Sequence, residues 1–199
     1  MFNEIWDIDF LSSTELICTD RNNHCLRHVD LSLSPPTTST FAGNCTVLGD
    51  ADGHRLSSAL FNHLRYTEFN SNKSSLFVLD NHKTLRMIDL RTDIVTTLVT
   101  FDSYCNDMKI LEDSLLYVAQ STRVIVFNIK TREESVVAGG SSEGSATGSF
   151  EHTKFGCTRG LFPRSDEVQT ILLVADYCNN RFVGFLRIQV YSYFFTANI

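Results

Sequence analysis

Leu16-Ile17-Cys18-Thr19-Asp20, Leu76-Phe77-Val78-Leu79-Asp80, Leu116-Tyr117-Val118-Ala119-Gln120 and Leu173-Val174-Ala175-Asp176 are copies of one phrase, an apolar run closed by an acid or amide. A phrase that returns every few tens of residues marks a repeat architecture. Each copy leads into a polar turn and a second apolar run. After Asp20, Arg21-Asn22-Asn23-His24 is turn chemistry, and Cys25 to Leu31 alternates apolar with polar as a half-buried strand does. Ser34-Pro35-Pro36 turns the chain, and Thr38 to Ala42 reads as another strand. The second copy continues through Asn81-His82-Lys83, Leu85 to Leu90 and Ile94 to Val99, and the third through Val124 to Ile129 and Ser135 to Ala138.

Gly-rich joints separate the units. Gly49-Asp50-Ala51-Asp52-Gly53 precedes Leu60-Phe61-Asn62, and Gly144-Ser145-Ala146-Thr147-Gly148 precedes Phe150-Glu151. A lone meander of short strands cannot cover both of its faces, so each unit needs neighbours. The expected fold is all-β: a β-propeller of four-stranded antiparallel blades. Its blades are expected at about 3–45, 61–101, 102–140 and 155–189 within a propeller region 1–189, followed by a divergent tail, 190–199, without the usual last strand. A β-sandwich of generic short strands is the competing reading, but it does not require matched joints.

Three stretches carry a family resemblance: Cys18 to Asp30, Leu79 to Asp89 and Val174 to Phe182. They resemble the NHL-repeat core "VADxxNxRIRxID", and the joints resemble that family's Gly-rich link, with Leu60 where Arg is usual. The resemblance spans roughly residues 5 to 186 and is weakest in the third copy, which has Gln120 for Asp and Ile125 for Arg. It implies a propeller that closes with about six blades. The chain is therefore expected to be an open arc or a fragment, with missing blades supplied by a longer chain or a partner.

Composition narrows the function classes. Of 199 residues 43% are hydrophobic, and the net charge is -6, with no run of Lys and Arg. Nucleic-acid binding, which leans on basic stripes, is disfavoured. No apolar stretch is long enough to span a bilayer, and Met1 to Asp7 lacks the basic start of a signal peptide.

Six cysteines lack CxxC spacing, which argues against a zinc ribbon or a redox dithiol. Cys25 and Cys45 lie symmetrically about Pro35, and Cys157 and Cys178 flank Arg164-Ser165-Asp166-Glu167. Each pair is expected to bridge across a hairpin. Cys18 reads as a buried small hydrophobe, and Cys105 has no evident partner. Asn44 and Asn72 head sequons, which together with the bridges favour an extracellular setting.

The pairs Asp20 with Arg27, Asp80 with Arg86 and Asp176 with Arg181 recur in every well-preserved copy, which fits a structural role better than a single active site. The six histidines show no metal-ligand spacing, and Asp7, Glu68, Asp107 and Asp166 at inner-strand starts form no pattern. No catalytic residue, metal or cofactor is therefore assigned. The expected function is a non-catalytic scaffold binding a protein or glycan through turns at one end of the blades. Its candidate contacts are Arg21, Asn23, His24, His82, Lys83, Arg123, Tyr177 and Asn180. The alternatives are a metal-dependent lactonase- or lyase-like propeller and an RNA-binding NHL module.

Overall fold

The computed structural model describes residues 1–111, 114–148, 152–165, 170–188 and 191–198. The chain forms two compact units, Met1–Asp102 and Ser103–Ile199. Each unit contains two antiparallel sheets. In the first unit, one sheet runs β1 (Ile5–Phe10), β2 (Glu15–Asp20), β3 (Cys25–Asp30), β4 (Thr37–Ala42) in sequence order. The other comprises β5 (Gly53–His54), β6 (Thr67–Phe69), β7 (Ser75–Asp80), β8 (Thr84–Asp89) and β9 (Ile94–Thr100), ordered β5-β9-β8-β7-β6. The second unit holds β10 (Cys105–Leu111), β11 (Leu115–Gln120), β12 (Arg123–Asn128) and β13 (Glu134–Gly139) in one sheet. Its other sheet is β14 (Thr158–Ser165), β15 (Thr170–Asp176), β16 (Arg181–Ile188) and β17 (Tyr191–Asn198). The protein is all-β and its sheets are propeller blades.

The repeat phrase is the second strand of every blade. Asp20, Asp80, Gln120 and Asp176 each end that strand and pair with the first residue of the third: Cys25, Thr84, Arg123 and Arg181. Register shifts recur at matching places, between Leu26 and Arg27, Leu85 and Arg86, and Val124 and Ile125. A bulge at one repeated position sharpens the strand twist there, so the copies share geometry as well as pattern.

Two sequence expectations differ from the structure. The joint 49–53 runs into a fifth strand, β5, which pairs with β9; two residues are too few to show an alternating pattern. Residues 190–199, expected as a tail, contain β17, which pairs with β16 from Arg181↔Asn198 to Ile188↔Tyr191. The run Tyr191-Ser192-Tyr193-Phe194-Phe195-Thr196 is rich in strand-forming types but carries none of the family's closing motif, which hid it.

Within each unit the core lies between the two blades. In the first, Ile17, Leu26, Phe41 and Ala42 of one blade meet Phe69, Leu76, Val78, Ile88 and Val95 of the next, and the joint contributes Ala59, Phe61 and Leu64. In the second, Ala119, Val124 and Ala138 meet Leu161, Leu172, Val174 and Val183 around Phe155. Phe61 and Phe155 are both fully buried. Phe155 thus takes the place in the second joint that Phe61 takes in the first, whereas the sequence match to Phe150-Glu151 lies outside the described residues.

Carboxylates tie inner strand to inner strand. Asp7 Oδ2 accepts from the Thr67 amide at 2.7 Å and from its hydroxyl at 3.1 Å, and Asp9 Oδ2 accepts from the Phe69 amide at 2.9 Å. Asp107 Oδ2 accepts from the Leu161 amide at 2.7 Å. Two of the acids that sequence offered as inner-strand metal candidates, Asp7 and Asp107, are thus acceptors that bind the next blade. Glu68 lies on β6 and Asp166 falls outside the described residues.

Candidate functional site

Asp20, Asp80 and Asp176 are sealed from solvent and serve the backbone. One oxygen of each accepts from the segment leading into its own blade: from the Asn3 amide at 2.7 Å, the Asn62 amide at 2.7 Å, and the Gly156 amide at 2.9 Å. The other oxygen holds side chains. Asn23 Nδ2 donates to Asp20 at 2.8 Å and Asn179 Nδ2 to Asp176 at 2.7 Å. Arg86 Nη1 reaches Asp80 at 3.1 Å and Arg181 Nε reaches Asp176 at 2.8 Å. Burial pushes the Asp80 carboxyl up to about 6, against the pull of the Asn62 amide and the Arg86 guanidinium.

The arginines also bind the joints. Arg86 donates to the Leu60 and Ala51 carbonyls and to Asp52, with its guanidinium 4.6 Å from the Phe61 ring centroid. Arg181 donates to the Ser145 and Lys154 carbonyls at 2.7 Å each. This accounts for the joints resembling one another: each presents carbonyls to a buried guanidinium. Arg27 departs from the expected pairing. It donates to Thr40 Oγ1 at 3.1 Å, and Asp20 is held by Asn23. In the third blade Gln120 Oε1 accepts from Arg123 Nε at 2.6 Å.

Both cysteine pairs are bonded. Cys25–Cys45 has its Cα atoms 5.0 Å apart and Cys157–Cys178 5.2 Å apart, each closing the end of a hairpin. Cys18 and Cys105 are buried thiols outside the two bridges, and burial pushes the Cys18 thiol up to about 11. Asn44 and Asn72 are exposed.

The proposed binding turns divide between the units. In the first unit they meet at one end of the blades and enclose residues that sequence alone did not single out. The Arg21 and Arg65 guanidiniums lie 5.1 and 4.5 Å from the Trp6 ring centroid. His24 and His63 stack edge to face at 4.6 Å. The His63 amide donates to His24 Nδ1 at 3.2 Å, which places the neutral His24 ring proton on Nε2. His63 Nδ1 lies 2.7 Å from Asn62 Oδ1, an acceptor only, so Nδ1 carries a proton. His82 is held below the ordinary imidazole range by burial, then by Arg65, Arg21 and His63; His24 is lowered by burial and His63. Glu4 bridges Arg21 at 2.6 Å. Trp6 escaped sequence reading because it lies on β1, and His63 and Arg65 because they come from the lead-in segment before β6; none belongs to the repeat's turn. The pairing of the Asn81 amide with the Asn62 carbonyl brings that segment level with the turns.

Two other predicted contacts are tied down in part: Asn23 is committed to Asp20, and Lys83 Nζ donates to the Asp102 carbonyl at 2.8 Å. In the second unit Tyr177 is exposed, Arg159 lies 5.8 Å from its ring centroid, and Asn180 caps the turn in the left-handed conformation. Among the described residues no group of three or more His, Cys, Asp or Glu converges to hold a metal ion.

No family model matches the chain, and no curated protein does. Solved structures match in fold. A putative 6-phosphogluconolactonase from Bacteroides uniformis superposes with a TM-score of 0.62 at 10% identity, over 98% of this chain and 53% of that one. An auxiliary nutrient binding protein from Bacteroides ovatus gives 0.56 at 14% identity, over 98% and 57%. The N-terminal domain of Nup159 gives 0.57 at 10% identity, over 100% and 45%. The chain spans about half the length of these propeller-type structures, and the likeness is one of fold.

Proposed function

We propose that this chain is a binding module of NHL-type repeats that engages a protein or glycan through the turn end of its blades. One observation carries the reading. The recurring Asp and Arg side chains are consumed in holding blades and joints together, whereas the turn residues of the first unit gather around a part-exposed Trp6. Rigid sheets presenting clustered turn side chains suit recognition. The two hairpin bridges and the exposed Asn44 and Asn72 sequons support an oxidising, extracellular setting for it. Missing blades, from a longer chain or a partner, would cover the apolar face formed by Gly160, Phe162, Leu173, Ala175 and Phe182.

The test is capture by the immobilised chain across a defined panel of glycans and secreted proteins, repeated with Arg21, His24, His82 and Lys83 replaced by Gly or Ser. Capture should be lost with the far-ultraviolet spectrum unchanged; Asn23 is spared because it braces the buried Asp20. Undiminished capture by the variant would refute the proposed face.

A further inference from the structure

His24, His63 and His82 all adopt the left-handed backbone conformation, with φ of 59°, 52° and 64°. They come from three different turns or lead-ins of the first unit, and each has a Cβ that disfavours this region. Strained residues gather where geometry serves a function. Beside them stand two guanidiniums against one indole, within a chain whose net charge is -6. We propose that Trp6, Arg21, His24, His63, Arg65 and His82 form an oxyanion-binding site that takes a sulfate or phosphate group and tightens as the solution is acidified.

The donor set fits such a group. Arg21 Nε is buried without a hydrogen-bond partner while Nη1 holds Glu4. His24 offers Nε2–H, and His63 Nε2 becomes a donor on protonation. A guanidinium fork with imidazolium donors suits a tetrahedral oxyanion, and the two arginines repel a cation. Glu4 is paired with Arg21, while Asp20 and Asp80 are buried under backbone amides. The charges acting on His82 are Arg65, Arg21 and His63, and the one acting on His24 is His63, so all are cationic or become so. An anion seated among them favours the protonated imidazoles, and by reciprocity protonation favours the anion.

The inference deepens the binding-module reading and rests on it for the ligand's setting. The anion could arrive free or as a sulfate ester on a glycan, and separate arms distinguish these. Trp6 is the single tryptophan, so its fluorescence reports on this site. The intact, disulfide-bonded chain is titrated with sodium sulfate, sodium phosphate, a sulfated heparin disaccharide and its desulfated form, against chloride at equal ionic strength. Sulfate should change Trp6 emission and bind about tenfold more tightly at pH 5.5 than at pH 7.5, a coupling of ordinary size. Tighter binding of the sulfated disaccharide than of sulfate would assign the glycan source; equal binding would assign the free anion. Arg65→Gln should weaken sulfate about tenfold at both pH values, and His82→Asn should flatten the pH dependence. Both variants must retain the wild-type far-ultraviolet spectrum, and Arg65→Lys should restore part of the affinity if the first fails to fold. Sulfate indistinguishable from chloride up to about 10 mM, ten times a millimolar Kd, would overturn the site. If turn-dependent partner capture persisted in that case, the binding-module reading would survive; capture undiminished by the turn substitutions, with sulfate binding by the wild-type chain intact, would refute that reading and not the site.

Discussion

Replacing Arg86 by Met tests whether the repeat arginine is a structural staple. The side chain is 1% exposed and serves the Asp80 carboxylate, two joint carbonyls and Asp52. Met fills the aliphatic volume but offers no donor, so Asp80 keeps its buried charge and loses its cation. Breaking a buried pair from one side costs about 3–5 kcal/mol, and the Asn62 amide left on Asp80 favours the lower end. The cost should depend on pH. Asp80 already titrates at about 6 in the folded chain, against 3.8 unfolded, and loss of Arg86 raises the folded value further. A raised folded value means that the native state holds its proton longer than the unfolded chain. Its stabilising contribution is therefore full below pH 3.8 and is lost as pH rises through the folded value. The variant should accordingly regain stability on acidification from pH 7 to 5, by up to about 1.4 kcal/mol per pH unit relative to wild type. Urea unfolding followed by Trp6 emission at the two pH values gives both numbers, and adding Asp80→Asn to the Arg86→Met variant should remove the pH difference. A penalty below about 1 kcal/mol at pH 7, or an equal penalty at pH 5, would refute the staple.

Further outcomes follow from the geometry. Peptide mapping under non-reducing conditions should recover Cys25 joined to Cys45 and Cys157 joined to Cys178; removing the second bridge, a separation of 21 residues, should cost about 3 kcal/mol by the chain-entropy estimate. Gly139→Ala should destabilise the third blade strongly, because a Cβ there falls 2.3 Å from the Thr122 carbonyl at a φ of +86°, and thermal melting would register it. Asn180→Gly should leave stability unchanged or raise it by up to about 1 kcal/mol in urea unfolding, since it relieves a left-handed residue at an exposed turn.

Much of the scaffold was legible because strand pattern and turn chemistry are local. The runs ending at Asp20, Asp80, Gln120 and Asp176 announced the second strand of each blade, and the cysteine spacings followed from hairpin geometry. What escaped depends on neighbours. Arg181 sits opposite Asp176 in the register, whereas Arg86 lies two residues farther along its strand, yet both guanidiniums reach their carboxylates. Arg27 shares the register position of Arg86 but donates to Thr40 on the neighbouring strand of its own blade. The candidate site was half visible: Arg21, His24 and His82 lie in turns that the repeat marks. Trp6, His63 and Arg65 join them only when two blades stand side by side.

Amide hydrogen exchange tests that stacking most directly. The Thr67 and Phe69 amides point away from their own sheet to Asp7 and Asp9 of the preceding blade, and the Leu161 amide to Asp107. Side-by-side blades predict slow exchange at these three amides, with protection at Thr67 lost in Asp7→Ala and retained at Leu161. Exchange at the rate of an unstructured peptide in the wild-type chain would contradict the arrangement on which the fold, the staples and the site all depend.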